Sequence, residues 1–306
     1  MKIVYAGTPD FAVLPLKKII ESSKHQVVGV ITNKDKPVGR KQVLTPPPVK
    51  ILATENGIPV YQYDKIRLEG VEDLKKLNPD IIITCAFGQI LSQEILDIPR
   101  LGVINIHASL LPKYRGASPI HFAILNGEKK TGITIMKTDI GIDTGDTLIQ
   151  RELLIGDNET CGELFSRLSI LGADLIIEAL DLIESGNAKY NKQDENLATH
   201  SKIIKKEMAK INWEDSAILN FNKIRAFNPA PVAFTYLDNL PFKIYSAEVT
   251  NDNGVAGTII KADSELIIAC GNGAISLKTV QKAGGKPMNI KDFLRGNKFT
   301  VGEKFI

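Results

Sequence analysis

The stretch that organises the chain is Gly102-Val103-Ile104-Asn105-Ile106-His107-Ala108-Ser109-Leu110-Leu111-Pro112-Lys113-Tyr114-Arg115-Gly116. It opens as an apolar strand and then breaks its own apolar pattern with Asn105 and His107. Alternation along an extended backbone puts those two side chains on one face. Pro112 and Gly116 end the strand and force a loop. A second apolar segment, 131–136, reads as a buried strand and runs into Lys137-Thr138-Asp139-Ile140-Gly141-Ile142-Asp143-Thr144-Gly145-Asp146, an acidic loop with glycines where the backbone must bend. The amide of Asn105, the imidazole of His107 and the carboxylate of Asp143 are thereby expected to converge at the carboxyl edge of a parallel sheet, where open α/β sheets carry their chemistry. Spacing alone leaves two readings: a turn-forming Asn and a structurally satisfied His, or a catalytic trio.

Upstream, 2–6 and 25–31 read as strands, with helical spacing over 11–20 and Asp10 as its cap. Gly7-Thr8-Pro9 is no G-x-G-x-x-G, and the second strand ends in Thr32-Asn33 without a ribose-binding acid, so dinucleotide binding is excluded. The connection 34–48 is net basic, closes on Pro46-Pro47-Pro48, and is far longer than the roughly 2–6 residues a βα loop needs. A helix over 49–56, a strand over 58–61 and a helix over 68–77 follow. Residues 80–84 form an apolar strand of parallel-sheet type. It leads into Cys85-Ala86-Phe87-Gly88-Gln89-Ile90-Leu91, whose small residues let a flat ligand approach the backbone.

Downstream, 119–125 reads as a short helix, 147–154 as a strand and 163–183 as the longest amphipathic helix. Composition then shifts. Residues 184–205 are polar and read as a linker, and from 206 short strands (232–237, 242–249, 257–261, 266–269, 274–280) alternate with Asn/Asp/Gly turns beside a helix over 218–227. The expected fold is α/β: a Rossmann-like, mostly parallel sheet domain over 1–183, then a small OB-like β-barrel domain over 206–306.

The 306 residues are 43% hydrophobic, enough for a sizeable core, but no apolar run approaches the roughly 18 residues of a membrane span. The opening residues go straight into a strand, with neither a signal-peptide core nor an amphipathic transit pattern. Cys85, Cys161 and Cys270 are odd in number and lack metal-ligand spacing, which argues against a disulfide framework or a zinc site. A cytoplasmic protein without a metal is expected. The net charge of +3 is too small to identify a polyanion partner, so any nucleic-acid contact must be argued locally.

Asn105-x-His107, the run Ser109-Leu110-Leu111-Pro112-Lys113-Tyr114-Arg115-Gly116 and Gly141-Ile142-Asp143-Thr144-Gly145 together resemble the signature of the folate-dependent formyltransferases. Ala6-Gly7-Thr8-Pro9-Asp10-Phe11-Ala12, Lys210-Ile211-Asn212-Trp213 and Ile224-Arg225-Ala226-Phe227-Asn228-Pro229 extend the resemblance over most of the chain, towards the members that act on tRNA. The chain departs from that pattern at Pro229-Ala230-Pro231, where Pro-Trp-Pro is usual, and in a lighter basic tip after Gly39-Arg40.

The resemblance implies transfer of a formyl group from 10-formyltetrahydrofolate to the α-amine of methionyl-initiator tRNA, for translation initiation, by a monomer. It implies catalysis by Asn105, His107 and Asp143 and folate contacts from Ser109, Leu110, Leu111, Pro112, Phe87, Gly88, Gln89 and Ile90. It also implies tRNA contacts from Arg40, Lys34, Lys36 and Lys41, with the barrel supplying remote phosphate contacts. A small amine such as a nucleotide amino-sugar is the alternative acceptor.

A model α-amine has a pKa of about 7.7–8.0, so the acceptor needs positioning more than activation. Attack on the formyl carbon puts negative charge on its oxygen and makes the attacking nitrogen acidic. Asn105 is a donor that cannot titrate, suited to that oxygen. His107 can donate to the same oxygen or carry a proton, and Asp143 can orient the imidazole or order a water. Elsewhere, Arg115 reads as an anion contact or a solvated or paired cation, His121 as packing, Asp139 and Asp146 as turn residues, and Trp213 as a stacking platform or core.

Overall fold

Ile81-Ile82-Ile83-Thr84-Cys85 is buried along its whole length, as a strand inside a parallel sheet must be. The computed structural model, which describes residues 1–39 and 41–306, places it there. Arg40 lies outside the described residues. The chain runs β1 (Lys2–Gly7), α1 (Val13–Ser22), β2 (Gln26–Thr32), β3 (Lys36–Val38), β4 (Val43–Thr45), α2 (Pro48–Glu55), β5 (Val60–Gln62), α3 (Ile66–Glu69), α4 (Val71–Leu77), β6 (Ile81–Cys85), α5 (Gln93–Leu96), β7 (Val103–His107), β8 (Arg115–Gly116), α6 (Pro119–Leu125), β9 (Lys130–Lys137), β10 (Thr147–Leu154), α7 (Cys161–Glu184) and β11 (His200–Ser201). Then come α8 (Ala217–Ala226), β12 (Ala233–Leu237), β13 (Leu240–Thr250), β14 (Ile259–Ala262), β15 (Leu266–Ala269), β16 (Ala274–Lys282), β17 (Met288–Asn289) and α9 (Ile290–Gly296).

The described residues divide into two compact units. The first comprises Met1–Pro119, Lys130–Leu154 and Phe165–Lys202. Its main sheet has the order β10-β9-β7-β6-β1-β2-β5. The run from β7 to β5 is parallel, while β9 and β10 are antiparallel to their neighbours. This is the Rossmann-like, mostly parallel sheet. Val4, Ile31, Ile82, Leu74 and Phe87 pack together as part of the core on one face.

Two segments differ from their sequence reading. The long connection after β2 contains a hairpin, β3 against β4, with Lys36 opposite Thr45 and Val38 opposite Val43. Pro48 opens α2, where a missing N–H costs nothing because the first helical N–H groups have no partner anyway. The helical pattern over 68–77 is broken at Gly70 into α3 and α4.

The second unit comprises Ile120–Lys129, Ile155–Leu164 and Ile203–Ile306. Its antiparallel sheet has the order β12-β13-β16-β15-β14, with β17 paired to β16. Residues 302–306 join its two open edges. Phe305 N–H donates to the Gly257 carbonyl at 2.9 Å and Ile259 N–H to that of Glu303 at 2.8 Å, while Tyr236 and Ile306 exchange two bonds at 2.9 and 3.0 Å. The sheet is thereby closed towards the small OB-like barrel, with part of each edge strand covered by the last residues. Trp213 is core here: it is buried, donates from Nε1 to Thr235 Oγ1 at 3.0 Å, and lies against Phe305. Among the described residues no helix is long and apolar enough to cross a membrane.

Candidate active site

β7 carries Asn105 and His107 on one face, between buried Ile104 and Ile106. Because β9 runs antiparallel to β7, the loop that leaves β9 starts beside Val103, the amino end of β7, where Thr138 N–H donates to the Val103 carbonyl. To reach the reacting face the loop must turn back along the strand. Asp139 shapes that turn by accepting from Gly141 N–H at 3.0 Å and from Thr144 Oγ1 at 2.7 Å. Gly145 passes so close to Lys137 that a Cβ would lie 2.0 Å from its carbonyl oxygen. Asp143 itself adopts φ +54°, a left-handed backbone that costs an L-residue roughly 1–2 kcal/mol and has to be held from outside.

The three predicted catalytic side chains are brought together. Asp143 Oδ1 accepts from Asn105 Nδ2 at 3.3 Å, and Asp143 Oδ2 accepts from the Gly116 N–H at 2.8 Å and lies 3.5 Å from His107 Nδ1. His107 Nε2 lies 3.0 Å from the Tyr114 carbonyl, a group that can only accept, so Nε2 carries a hydrogen. Thr84, opposite Asn105 in the β6–β7 register, donates from Oγ1 to Asn105 Oδ1 at 2.9 Å. That bond orients the Asn105 amide, whose Nδ2 donates to Asp143.

The segment from Ser109 to Gly116 is held by hydrogen bonds within itself and from Thr134 and Gln150. Ser109 is fully buried and its hydroxyl donates to the Lys113 carbonyl at 2.6 Å. Thr134 Oγ1 donates to the Ser109 carbonyl and accepts from the Leu111 N–H, while Gln150 Nε2 donates to the Leu111 carbonyl. Leu111 is buried, and Leu110 and Pro112 are half-buried.

Arg115, read from sequence as an anion contact or a loop cation, is 2% exposed. Its guanidinium forms a bidentate pair with Glu195 (Nη1 to Oε2 and Nη2 to Oε1, both 2.8 Å), and Nε and Nη2 donate to Gln193 Oε1. The pair raises the Arg115 pKa further and holds the Glu195 carboxyl below its ordinary range. Beside it, β8 pairs in parallel with β11, and Tyr114 N–H donates to Thr199 Oγ1 at 2.8 Å. At Gly116 (φ +107°) a Cβ would sit 2.5 Å from the Ser201 carbonyl oxygen.

The residues expected on folate divide by exposure. Phe87 is in the core, and Gln89 is fully engaged, accepting from Ile66 N–H at 2.8 Å and donating to the Asn33 side-chain Oδ1 at 2.8 Å and to the Tyr63 carbonyl at 3.1 Å. Ala86, Gly88 and Ile90 are exposed, the backbone is left-handed at Ala86 (φ +47°) and Gly88 (φ +76°) with no bulk over Gly88, and the Phe87 carbonyl between them accepts from Asn33 Nδ2 at 3.2 Å. Cys85, next in the chain, is inert there because burial pushes its thiol up to about 12. On the hairpin, Lys36 and Lys41 are exposed and Lys34 is ion-paired with Asp64. His121 lies outside this site, in the second unit against Phe227, and burial lowers its pKa.

The formyl transferase family model matches residues 1–180, and that of the formyl transferase C-terminal domain matches 203–298. The methionyl-tRNA formyltransferase of Geobacter metallireducens is 44% identical over 304 residues, covering 99% of this chain and 97% of the relative. The chain belongs to the methionyl-tRNA formyltransferase family. The Clostridium novyi methionyl-tRNA formyltransferase agrees, with 44% identity over 306 residues and 98% of each chain. The fold is shared with WlaRD, a sugar 3N-formyl transferase solved in the presence of dTDP and 5-N-formyl-THF (TM-score 0.68, 25% identity, 94% of this chain and 99% of that one). An N-formyltransferase from Helicobacter canadensis in complex with folinic acid and dTDP-3-aminofucose has TM-score 0.69 at 24% identity, with 92% of this chain and 99% of that one covered.

For this methionyl-tRNA formyltransferase family member, sequence reasoning missed Thr84, the Gly116 N–H and Gln193. Thr84 left one signal, a hydroxyl closing an otherwise apolar run. Gln193 left none beyond lying in a polar stretch.

Proposed function

We propose that the chain transfers a formyl group from 10-formyltetrahydrofolate to the free amine of methionyl-initiator tRNA, with Asn105, His107 and Asp143 as catalytic residues. The observation that carries the reading is one carboxylate, Asp143, placed against the Asn105 amide, the His107 ring and the Gly116 N–H together. The folate supplies the formyl carbon, whose oxygen gains charge as the amine attacks. Asn105 meets that oxygen with the Nδ2 hydrogen not given to Asp143, in an orientation that Thr84 sets in advance. His107 turns Nδ1, the nitrogen not bound to Tyr114, towards Asp143, so the proton lost by the acceptor amine can pass by way of the imidazole and the carboxylate to the folate nitrogen. That nitrogen takes it as its bond to the formyl carbon breaks and tetrahydrofolate departs.

In this reading Gly88 and Ile90, with Leu110 and Pro112, face the folate, and Phe87, Gln89, Ser109 and Leu111 shape the segments that carry them. Lys34, Lys36 and Lys41 attract the tRNA, with Arg40 between them in the chain. Residues 1–183 are read as the catalytic domain and 206–306 as a tRNA-binding barrel; of the connecting 184–205, residues up to Lys202 belong to the first compact unit. The chain is read as acting as a monomer, and a tRNA acceptor supports a cytoplasmic setting.

The acceptor is tested by incubating the protein with 10-formyltetrahydrofolate and either methionyl-initiator tRNA or an amino-sugar nucleotide. Formylmethionyl-tRNA is expected, at a kcat/KM far above that for the sugar. Formylation of the sugar alone would overturn the reading in favour of the small-amine acceptor.

A further inference from the structure

The two family matches leave residues 181–202 uncovered, and Gln193 lies there. A glutamine side chain offers two N–H donors and an oxygen with two lone pairs. Gln193 uses all of them. Nε2 donates to the Asp143 carbonyl at 2.8 Å and to the Gly145 carbonyl at 2.7 Å, and Oε1 accepts from Arg115 Nε at 3.1 Å and from Arg115 Nη2 at 2.9 Å. The side chain is buried, so water cannot replace any of these bonds. The Asp143 and Gly145 carbonyls meet on one NH2 group only while the loop keeps the bend that has Asp143 left-handed. Arg115, which fixes the other end of the amide, is itself clamped by Glu195.

We infer that Gln193 is the positioning residue for Asp143. It touches no reacting atom. It holds the backbone from which the carboxylate reaches Asn105, His107 and Gly116. The inference rests on the reading of Asp143 as catalytic, and the two have separate tests. An amide that served packing alone would change stability and leave turnover per folded molecule unaltered. An amide that positions the carboxylate changes the rate and leaves substrate affinity in place, and its loss matters only while the carboxylate is there.

The experiment compares Gln193→Met, which keeps the volume and removes every bond, with Gln193→Glu, which keeps an oxygen for Arg115 but sets a carboxylate oxygen against two carbonyls. Each is made alone and with Asp143→Ala. Single-turnover rates at saturating 10-formyltetrahydrofolate and methionyl-tRNA, KM for each substrate and Tm are measured. Either Gln193 variant is expected to lower the rate about 100-fold, the scale of a misplacement near 1 Å. KM values should stay within about twofold, and in the Asp143→Ala background the further loss should be under about threefold, because residues acting as a unit are not additive. A slow Asp143→Ala beside Gln193 variants of normal rate, or a full additive loss, would overturn the inference alone. A wild-type rate for Asp143→Ala would overturn the catalytic reading and the inference with it. Should Gln193→Met fail to fold, Gln193→Glu decides, since it retains an ionic partner for Arg115.

Discussion

His107 donates its Nε2 hydrogen to the carbonyl oxygen of Tyr114 at 3.0 Å, and this bond decides which ring nitrogen is left to turn towards Asp143. The loop that follows β7 thus assigns a hydrogen to Nε2 of a residue on β7 itself, while the Asp143 carboxylate faces Nδ1 at 3.5 Å. Removing the ring removes the proton carrier of the proposed mechanism.

Asn105→Ala is expected to slow single-turnover formyl transfer by about 10²–10³, the usual cost of losing one oxyanion donor, and His107→Ala by about 10²–10⁴, the range for a lost proton-transfer group. Circular dichroism and Tm should confirm that both variants fold. A folded His107→Ala with near-normal chemistry at saturating substrates would remove the imidazole from the mechanism.

Thr84 acts on the same oxygen through Asn105. Thr84→Val keeps the shape of the side chain and deletes the hydroxyl that orients the amide. A hydrogen bond of this kind contributes about 1 kcal/mol, so a rate loss of roughly fivefold is expected. The loss should vanish when Asn105 is already Ala; an equal loss in both backgrounds would show that Thr84 works some other way.

The parts of the fold legible in sequence are those whose signal is local. The apolar run at 81–83 could only be an interior parallel strand, and Asn105 and His107 stood out because they interrupt an apolar alternation. What was not legible depends on partners distant in the chain. A buried strand such as 131–136 has the same pattern in either direction, so nothing showed that β9 opposes β7 and that the Asp143 loop must fold back. Gln193 and Thr199 looked like linker residues because the groups they bind, on Arg115 and Tyr114, lie about eighty positions earlier. The closure of the barrel by residues 302–306 was hidden for the same reason.

Acid should weaken the frame around Arg115 in a defined direction. Glu195 has its folded carboxyl held below its ordinary range by Arg115, so the stability it contributes is fully present above the unfolded value of about 4.3. That contribution is lost as pH falls through the lowered folded value. The stability difference between wild type and Glu195→Gln should therefore be level near pH 6 and shrink below about pH 4.3. Denaturant titrations at several pH values check this, and a difference that grows on acidification would contradict the pair.

The barrel should depend on its last strand-like segment through Phe305, which is buried against Trp213 and Phe242. Phe305→Ala is expected to destabilise the second unit by about 3–5 kcal/mol, the range for an aromatic removed from a core. Hydrogen exchange should show lost protection across 233–282 and unchanged protection across β1, β6 and β7. Uniform loss over both units would mean that they do not unfold separately.

The hairpin of β3 and β4 yields the prediction that bears most directly on the acceptor. A βα connection needs no such excursion, and Lys36 and Lys41 project from it exposed, whereas Lys34 is already engaged by Asp64. A phosphate can recruit the first two at little cost, while Lys34 must first give up a carboxylate. Lys36→Gln and Lys41→Gln are therefore expected to lower kcat/KM for every tRNA and to reduce the slope of log kcat/KM against log salt by roughly 0.7–0.9 each, the slope contributed by one phosphate contact. Lys34→Gln should have a smaller effect on both quantities. Arg40→Ala should instead erode the preference for initiator over elongator methionyl-tRNA. None of the four should alter folate binding by titration. The measurement is kcat/KM on both tRNAs at two salt concentrations. Unchanged tRNA kinetics in all four variants would remove the hairpin from tRNA recognition and make a small amine the better acceptor, whereas a loss shared equally by the three lysines would show that the Asp64 pair opens freely on binding.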